Sequence, residues 1–219
     1  MNAKLIATTQ PCSELVAQGI ETGDQLIAYV ARVSNPSNQL NTETAPRLLA
    51  YCIRHGHWSV FETASMTVEV ETSRAIAAQL LRHRSFTFQE WSQRYAASGD
   101  FEPIELRRQD LKNRQASGDI HEDPDLGWEA QEAVSTIFGV YKRLIAEGVS
   151  KETARMVLPL CTRTRMYVTG NVRSWIHYFD QRCAEHTQKE HRELACLIRE
   201  IFSKQFPNVF NAINTKSPA

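Results

Sequence analysis

The stretch RHRSFTFQEWSQRY, residues 82–95, gathers Arg82, His83, Arg84 and Arg94 around a single acid, Glu90. Cations crowded in this way repel one another unless an anion sits among them, and one carboxylate offsets only one of them. The later chain adds Arg155, Arg163, Arg165, Arg173 and Arg182. Guanidinium groups hold phosphates and planar heteroatom edges through paired hydrogen bonds, which an ammonium cannot do. The implied ligand is flat and phosphorylated, or there are two such ligands. A plainer reading exists for each residue. Arginines at a helix end gain only ~0.3–1 kcal/mol each and usually stay solvated. His57, just after Gly56, could be a cap, Glu90 a partner of Arg94, and Ser92 a turn residue. On residue chemistry alone, the sequence points no further than an anion-binding α+β enzyme.

The rest of the chain narrows the setting. Its 219 residues suit one domain, 1–219, with its own core. Lysines plus arginines number 25 and so do aspartates plus glutamates, so no global positive field marks a nucleic-acid binder. No apolar run approaches the ~18–20 residues of a membrane span. The first residues lack the apolar core of a secretory signal. Cys12, Cys52, Cys161, Cys183 and Cys196 are odd in number and include no Cys-x-x-Cys pair, which suits reduced thiols in a cytoplasmic protein, of a cell or of a virus's host. Cys183, His186 and His191 match no common zinc spacing, so no metal is expected.

These residues need elements to position them. Residues 3–8 read as a strand, 24–32 as a helix, and Pro46 starts a helix with Leu48, Leu49, Cys52 and Ile53 inward, stopped at Gly56. Residues 63–71 alternate, with Ala64, Met66, Val68 and Val70 on one side, as in a half-buried antiparallel strand. Thr72 or Ser73 caps a helix running through residue 84, with Ile76, Ala77, Leu80 and Leu81 inward. Residues 97–125 form a polar surface excursion, a candidate flap. A long helix follows over 127–147, with Trp128, Ala133, Ile137, Tyr141 and Leu144 as its apolar face. After a short helix at 151–158, a short extended piece leads into a helix near Val172 with Trp175, Ile176 and Phe179 inward. The last helix spans about 188–204, with Leu194, Leu197, Ile198 and Ile201 on one face.

The motifs carry a resemblance. Arg82-His83-Arg84, seven residues and then Ser92 is similar to the RHR-x7-S signature of the flavin-dependent thymidylate synthase family. The likeness spans nearly the whole chain: ARVS at 31–34, HGH at 55–57, FE at 61–62, RMVLPL at 155–160, NVRS at 171–174, Arg182, and HTQKEHRE at 186–193. Thr63 departs from the histidine that many relatives carry, and His177 stands where some have asparagine. The resemblance implies an α/β (α+β) fold, a long twisted, mostly antiparallel sheet flanked by helices. It is a non-Rossmann fold, consistent with the absence of a strand–GxGxxG–helix unit.

It also implies an activity: reductive methylation of deoxyuridylate (dUMP) to thymidylate (dTMP). The carbon comes from 5,10-methylenetetrahydrofolate and the hydride from reduced FAD, itself reduced by NADPH. Tetrahydrofolate leaves, and no enzyme nucleophile is used. By that likeness Arg82, His83, Arg84, Ser59, Asn171 and His177 contact FAD, with His57 near the flavin face and Glu90 at the flavin–nucleotide junction. Gln79, Glu90, Ser92, Gln93, Arg94, Arg155 and Arg182 surround the nucleotide. Arg182, His57 and Glu90 are the catalytic candidates, with Arg182 at the uracil edge. The family builds its sites across the subunits of a homotetramer. Three readings compete, one of them a structural or regulatory protein of the same fold that has lost catalysis. Phe86, Phe88, Trp91 and Tyr95 interleave with the basic residues of 82–95, as in a nucleic-acid-binding module. Alternatively Cys161 or Ser92 acts as a nucleophile on the pyrimidine.

Overall fold

Met66, Val68 and Val70 are fully buried, and the residues between them face the opposite side. Alternation of that kind places one face of a strand on a core and the other toward solvent or a ligand. The computed structural model describes residues 1–214. Its elements run β1 (Asn2–Thr8), α1 (Ser13–Val16), α2 (Gly23–Ala31), α3 (Ala45–Arg54), β2 (Ser65–Ser73), α4 (Arg74–Leu80), β3 (Thr87–Glu90), β4 (Arg107–Gln109), β5 (Ser117–Ile120), α5 (Pro124–Ala146), α6 (Lys151–Ala154), β6 (Arg163–Asn171), α7 (Val172–Arg182), α8 (Lys189–Gln205) and α9 (Pro207–Asn214).

The main sheet has the order β1-β2-β6-β3, and every neighbouring pair is antiparallel. β2 and β6 pair along their full length, from Ser65 opposite Asn171 to Ser73 opposite Arg163. Each turns directly into a helix, and each turn is capped. Ser73 Oγ accepts the Ile76 N–H, and Asn171 Oδ1 accepts the Ser174 N–H at 2.8 Å. Because the strands are antiparallel, α4 and α7 begin at opposite ends of the sheet. The ends of these two helix segments then meet at His83 and Arg182.

Trp175, Tyr178 and Phe179 of α7 and Leu194, Ile198 and Phe202 of α8 cover the apolar face. The Trp175 indole N–H donates to the Met66 carbonyl. Phe86 packs at 4.5 Å from the Trp175 ring and lies over Gly170, where a Cβ would come within 2.3 Å of the Phe86 ring. That close approach requires glycine at 170 and fixes where the chain returns after α4.

The structure corrects several expectations. α4 stops at Leu80 instead of running to residue 84, because the chain must turn there to bring Phe86 onto Gly170 and β3 onto β6. Arg82-His83-Arg84 therefore sits in a turn, and Leu81 is exposed. The extended piece before Val172 is a nine-residue central strand. On α5 the buried stripe is Val134, Phe138 and Tyr141, while Trp128 and Ala133 are exposed. Phe138 meets Phe101, and the Tyr141 hydroxyl accepts the Ser98 N–H, so the first residues of the excursion select that face. Leu197 is exposed on α8, and α9 lies beyond the helix expected to be last. The 97–125 excursion contains the β4–β5 hairpin. It is tied down through Glu102 to the N-terminal ammonium, Asp100 to Arg163, and Arg107 to Glu190.

Candidate active site

The ends of α4 and α7 and the start of α8 bring one polar group together, with His191 and Tyr178 buried and Gln79, His83 and Arg182 half-buried in front of them. The Arg182 Nε–H donates to His83 Nε2 at 2.8 Å. An arginine only donates, so this nitrogen of His83 carries a lone pair and the ring is neutral. Burial first, then Arg182 and His177, push the His83 pKa down to about 4. His83 also meets the edge of Tyr178, with ring centroids 5.1 Å apart. Behind it, fully buried His191 bonds Gln79 Oε1 at 3.0 Å and the Tyr178 hydroxyl at 3.2 Å. Burial, with Arg182 and His83, lowers its pKa to about 3. Arg182 uses only Nε in these contacts. Among the described residues its two terminal NH2 groups have no partner, so four N–H bonds remain for a ligand.

A second group lies at the other end of α4. Glu90 Oε1 accepts from Arg74 at 2.8 Å and from Thr164 Oγ1 at 2.9 Å. Glu90 thus partners Arg74 and not Arg94. The following loop is open. Ser92 and Arg94 are exposed, and the backbone N–H groups of Ser92, Gln93 and Arg94 have no acceptor among the described residues. Such unpaired N–H groups beside cations form an anion seat. Arg94 pairs with Glu152 at 3.1 Å, and Arg155 donates to the Glu152 carbonyl, so both guanidiniums sit over the same short helix. Gln93 departs from the expected set. It is buried and donates to Ser98 Oγ.

A third region is a cavity of about 850 Å³ along the outer side of α7, lined by Trp58, Ser85, Asn171, Arg173 and His177 among others. It holds two of the expected flavin contacts, Asn171 and His177. Asn171 spends its side-chain oxygen on the α7 cap, and His177 bonds Gln181. His57 and Ser59 are exposed on the connection before β2, with His57 beside the Tyr51 and His55 rings. Arg82 and Arg84 are exposed and have no acidic partner among the described residues. Ser85, the residue that follows Arg84, lines the cavity, and two uncompensated guanidiniums beside it in sequence suit a diphosphate-bearing flavin nucleotide.

Cys161 does not look like a nucleophile. Burial raises its thiol pKa, the wrong direction for a reactive thiolate. Sequence reasoning missed Tyr178, Gln188 and Arg74. Tyr178 reads as one more core aromatic, and only Gln188, inside HTQKEHRE, lay in a motif that flagged it. No helix among the described residues is long and apolar enough to cross a membrane.

The family described as thymidylate synthase complementing protein matches residues 14–208. A probable flavin-dependent thymidylate synthase of Paramecium bursaria Chlorella virus 1 is 50 % identical over 218 residues, covering 98 % of this chain and 99 % of the viral one. A flavin-dependent thymidylate synthase of Synechocystis sp. is 49 % identical over 217 residues, covering 97 % and 99 %. Among solved structures, the UMP/dUMP methylase PolB of Streptomyces cacaoi bound with 5-Br dUMP superposes with a TM-score of 0.81 at 27 % identity, covering 97 % of this chain and 94 % of that one.

Proposed function

The chain belongs to the flavin-dependent thymidylate synthase family, and from that premise we propose how its own residues serve the conversion of dUMP to dTMP. The enzyme uses FAD. Arg82 and Arg84 hold the cofactor's phosphates, His83 and His177 border it, and Asn171 and Ser59 complete its contacts. NADPH reduces it, and 5,10-methylenetetrahydrofolate is the carbon donor, bound near His57. Bound there, the reduced isoalloxazine supplies a hydride, which no side chain can.

The nucleotide lies between the open loop and the buried polar group. Its phosphate takes the free N–H groups of residues 92–94, with Ser92, Arg94 and Arg155 around it. Glu90 is held by Arg74 and Thr164 through one oxygen, which leaves Oε2 to accept from the ligand. Arg182 faces the uracil edge and stabilises the negative charge that develops as C5 becomes nucleophilic. A guanidinium suits this place because it stays protonated throughout. The observation that carries the assignment is the Arg182–His83 contact. Neutral His83 orients the arginine through Nε without cancelling its charge.

The active unit is a homotetramer whose subunits complete one another's sites. Support comes from the surface of the single chain: Arg82, Arg84 and Arg94 are exposed, and Met156 and Leu160 are large apolar residues left open beside Arg155.

The test is a titration of the purified protein with FAD, followed by assay of dTMP formation from dUMP with and without the cofactor. Saturable flavin binding and FAD-dependent dTMP are expected. A protein that forms dTMP while binding no flavin would overturn the assignment. Dilution below the tetramer's dissociation constant should release FAD, because assembly and ligand binding are linked by mass action. An active, flavin-loaded monomer in equilibrium sedimentation would contradict the shared site.

A further inference from the structure

The β4–β5 hairpin, which the family resemblance leaves without a role, touches the site through a continuous hydrogen-bond chain. Arg107 of β4 pairs with Glu190 at the start of α8. Glu190 Oε2 takes Gln188 Nε2 at 2.9 Å. Gln188 Oε1 takes Gln79 Nε2 at 2.6 Å. Gln79 Oε1 meets His191 Nδ1 at 3.0 Å, and His191 Nε2 meets the Tyr178 hydroxyl at 3.2 Å.

The direction of every donation follows from the first member. Burial by itself would raise the Glu190 carboxyl, but its backbone N–H, Arg107 and Gln188 together hold it below its ordinary range. An ionised carboxylate only accepts. Gln188 must therefore turn its NH2 toward Glu190 and its oxygen toward Gln79. Gln79 must then donate to Gln188 and turn its own oxygen toward His191. Neutral His191 must carry its proton on Nδ1, so Nε2 accepts and the Tyr178 hydroxyl donates. Nothing in the chain can reverse while Glu190 stays charged. The Gln79 amide nitrogen has two N–H bonds, and Gln188 uses one.

We propose that the Arg107–Glu190 pair, acting through this polarised chain, locks Gln79 as a hydrogen-bond donor to an acceptor oxygen of the bound nucleotide. Arg107, Glu190 and His191 are thus positioning residues for substrate recognition, and the hairpin holds the pair that sets their direction. This rests on the reading that Gln79 faces the nucleotide.

Glu190→Gln tests the polarity without changing shape. Arg107 still requires an oxygen, so the new amide turns its NH2 toward Gln188. Each later amide then flips, His191 moves its proton to Nε2, and Gln79 offers its oxygen where it offered N–H. Nitrogen NMR of histidine-labelled protein reads the His191 tautomer directly. The expected result is Nδ1–H in the parent and Nε2–H in E190Q, with unchanged thermal unfolding and FAD binding. The dUMP dissociation constant should rise by roughly tenfold or more, the scale of one donor replaced by a repelling oxygen. Arg107→Gln leaves Glu190 a carboxylate held by its backbone N–H and Gln188, so it should keep the His191 proton on Nδ1 and weaken dUMP less than E190Q does, and Arg107→Lys should restore binding. Deoxyuridine, which lacks the phosphate, identifies the oxygen. A penalty in E190Q that survives with deoxyuridine places that oxygen on the nucleoside, and one that disappears places it on the phosphate; both support the proposal. The same tautomer in parent and E190Q would overturn it. So would a reversed tautomer with unchanged dUMP binding while Gln79→Ala weakens dUMP. If Gln79→Ala itself leaves dUMP binding intact, the placement of Gln79 at the nucleotide fails, and the proposal falls with it.

Discussion

The two ends of α4 are built differently. At its C-terminal end, Gln79, His83, Tyr178, Arg182 and His191 are tied to one another by hydrogen bonds that leave the terminal NH2 groups of Arg182 open, and His191 is fully buried. Beyond its N-terminal end, past β3, the 92–94 loop leaves three backbone N–H groups open. Arg94 and Glu152 there are 66 % and 56 % exposed, so their pair lies in water. Side chains bonded to one another around a buried histidine hold their geometry before any ligand arrives. An exposed pair with open donors has little geometry to lose and can be recruited by an anion. On the proposed assignment the contrast becomes a division of labour, with the more buried end fixing the orientation of the base and the exposed end capturing phosphate.

Removing Arg182 should test that division hardest. Arg182→Ala should cost turnover by about 10²–10³, the scale of a lost charge-stabilising donor, while FAD absorbance and affinity stay near those of the parent. Single-turnover rates would show it. An equal loss from Arg94→Ala would erase the distinction between the two ends. Arg94→Ala should instead weaken dUMP binding by roughly tenfold, with the loss shrinking as salt rises, and leave the saturated rate nearly unchanged. Titration with dUMP at two ionic strengths checks this.

The buried end should also leave a mark on stability against pH. His83 and His191 have ordinary values of 6.5, lowered to about 4 and about 3 in the fold. Below pH 6.5 the unfolded chain takes two protons that the folded chain refuses, so this part of the stability is lost as pH falls toward 4. Asp24 works the other way. Burial, only partly offset by the Asn208 and Val209 N–H groups, raises it from 3.8 to about 6, so its share is lost as pH rises between those values. Near pH 5 the two histidines outweigh the one aspartate. Unfolding free energy should rise with pH there by ~1.4 kcal/mol per unit, the slope of one proton. Asp24→Asn should steepen the slope, as denaturant melts at pH 4.5, 5.5 and 6.5 would show. A slope of zero or below in the parent would mean that the histidines protonate freely in the fold. The smallest effect belongs to the exposed pair itself. Glu152→Ala should change stability by less than ~1 kcal/mol, measured by the same melts.

The same contrast separates what the sequence reveals from what it hides. Local pattern gave away β2 through its alternation and offered Thr72 or Ser73 as the cap of the helix after it, while the Asn171 cap and the full length of β6 went unread. The type of the site residues was legible as well, because an arginine surplus has a chemical meaning. Pairing across the chain was not. His191 and Gln79 lie 112 residues apart, and no periodicity connects them. The end of α4 was overrun for a related reason. Residues 81–84 are acceptable in a helix, and only the long-range fit of Phe86 over Gly170 makes the chain turn. On α5, several apolar residues compete for the inward face, and Phe101 and Ser98, far off in sequence, decide in favour of Phe138 and Tyr141.

The central claim is a methyl transfer to dUMP completed by a flavin hydride, with Arg182 as the charge stabiliser and no cysteine bonded to the base. It is tested most directly by the identity of the folate released. The FAD-loaded protein, reduced without oxygen, is mixed with dUMP and 5,10-methylenetetrahydrofolate for a single turnover, and the products are separated by chromatography. Tetrahydrofolate, formed together with dTMP and oxidised flavin, is the expected result. Dihydrofolate would mean that the folate itself gave the hydride, and would contradict the claim even if every variant behaved as described.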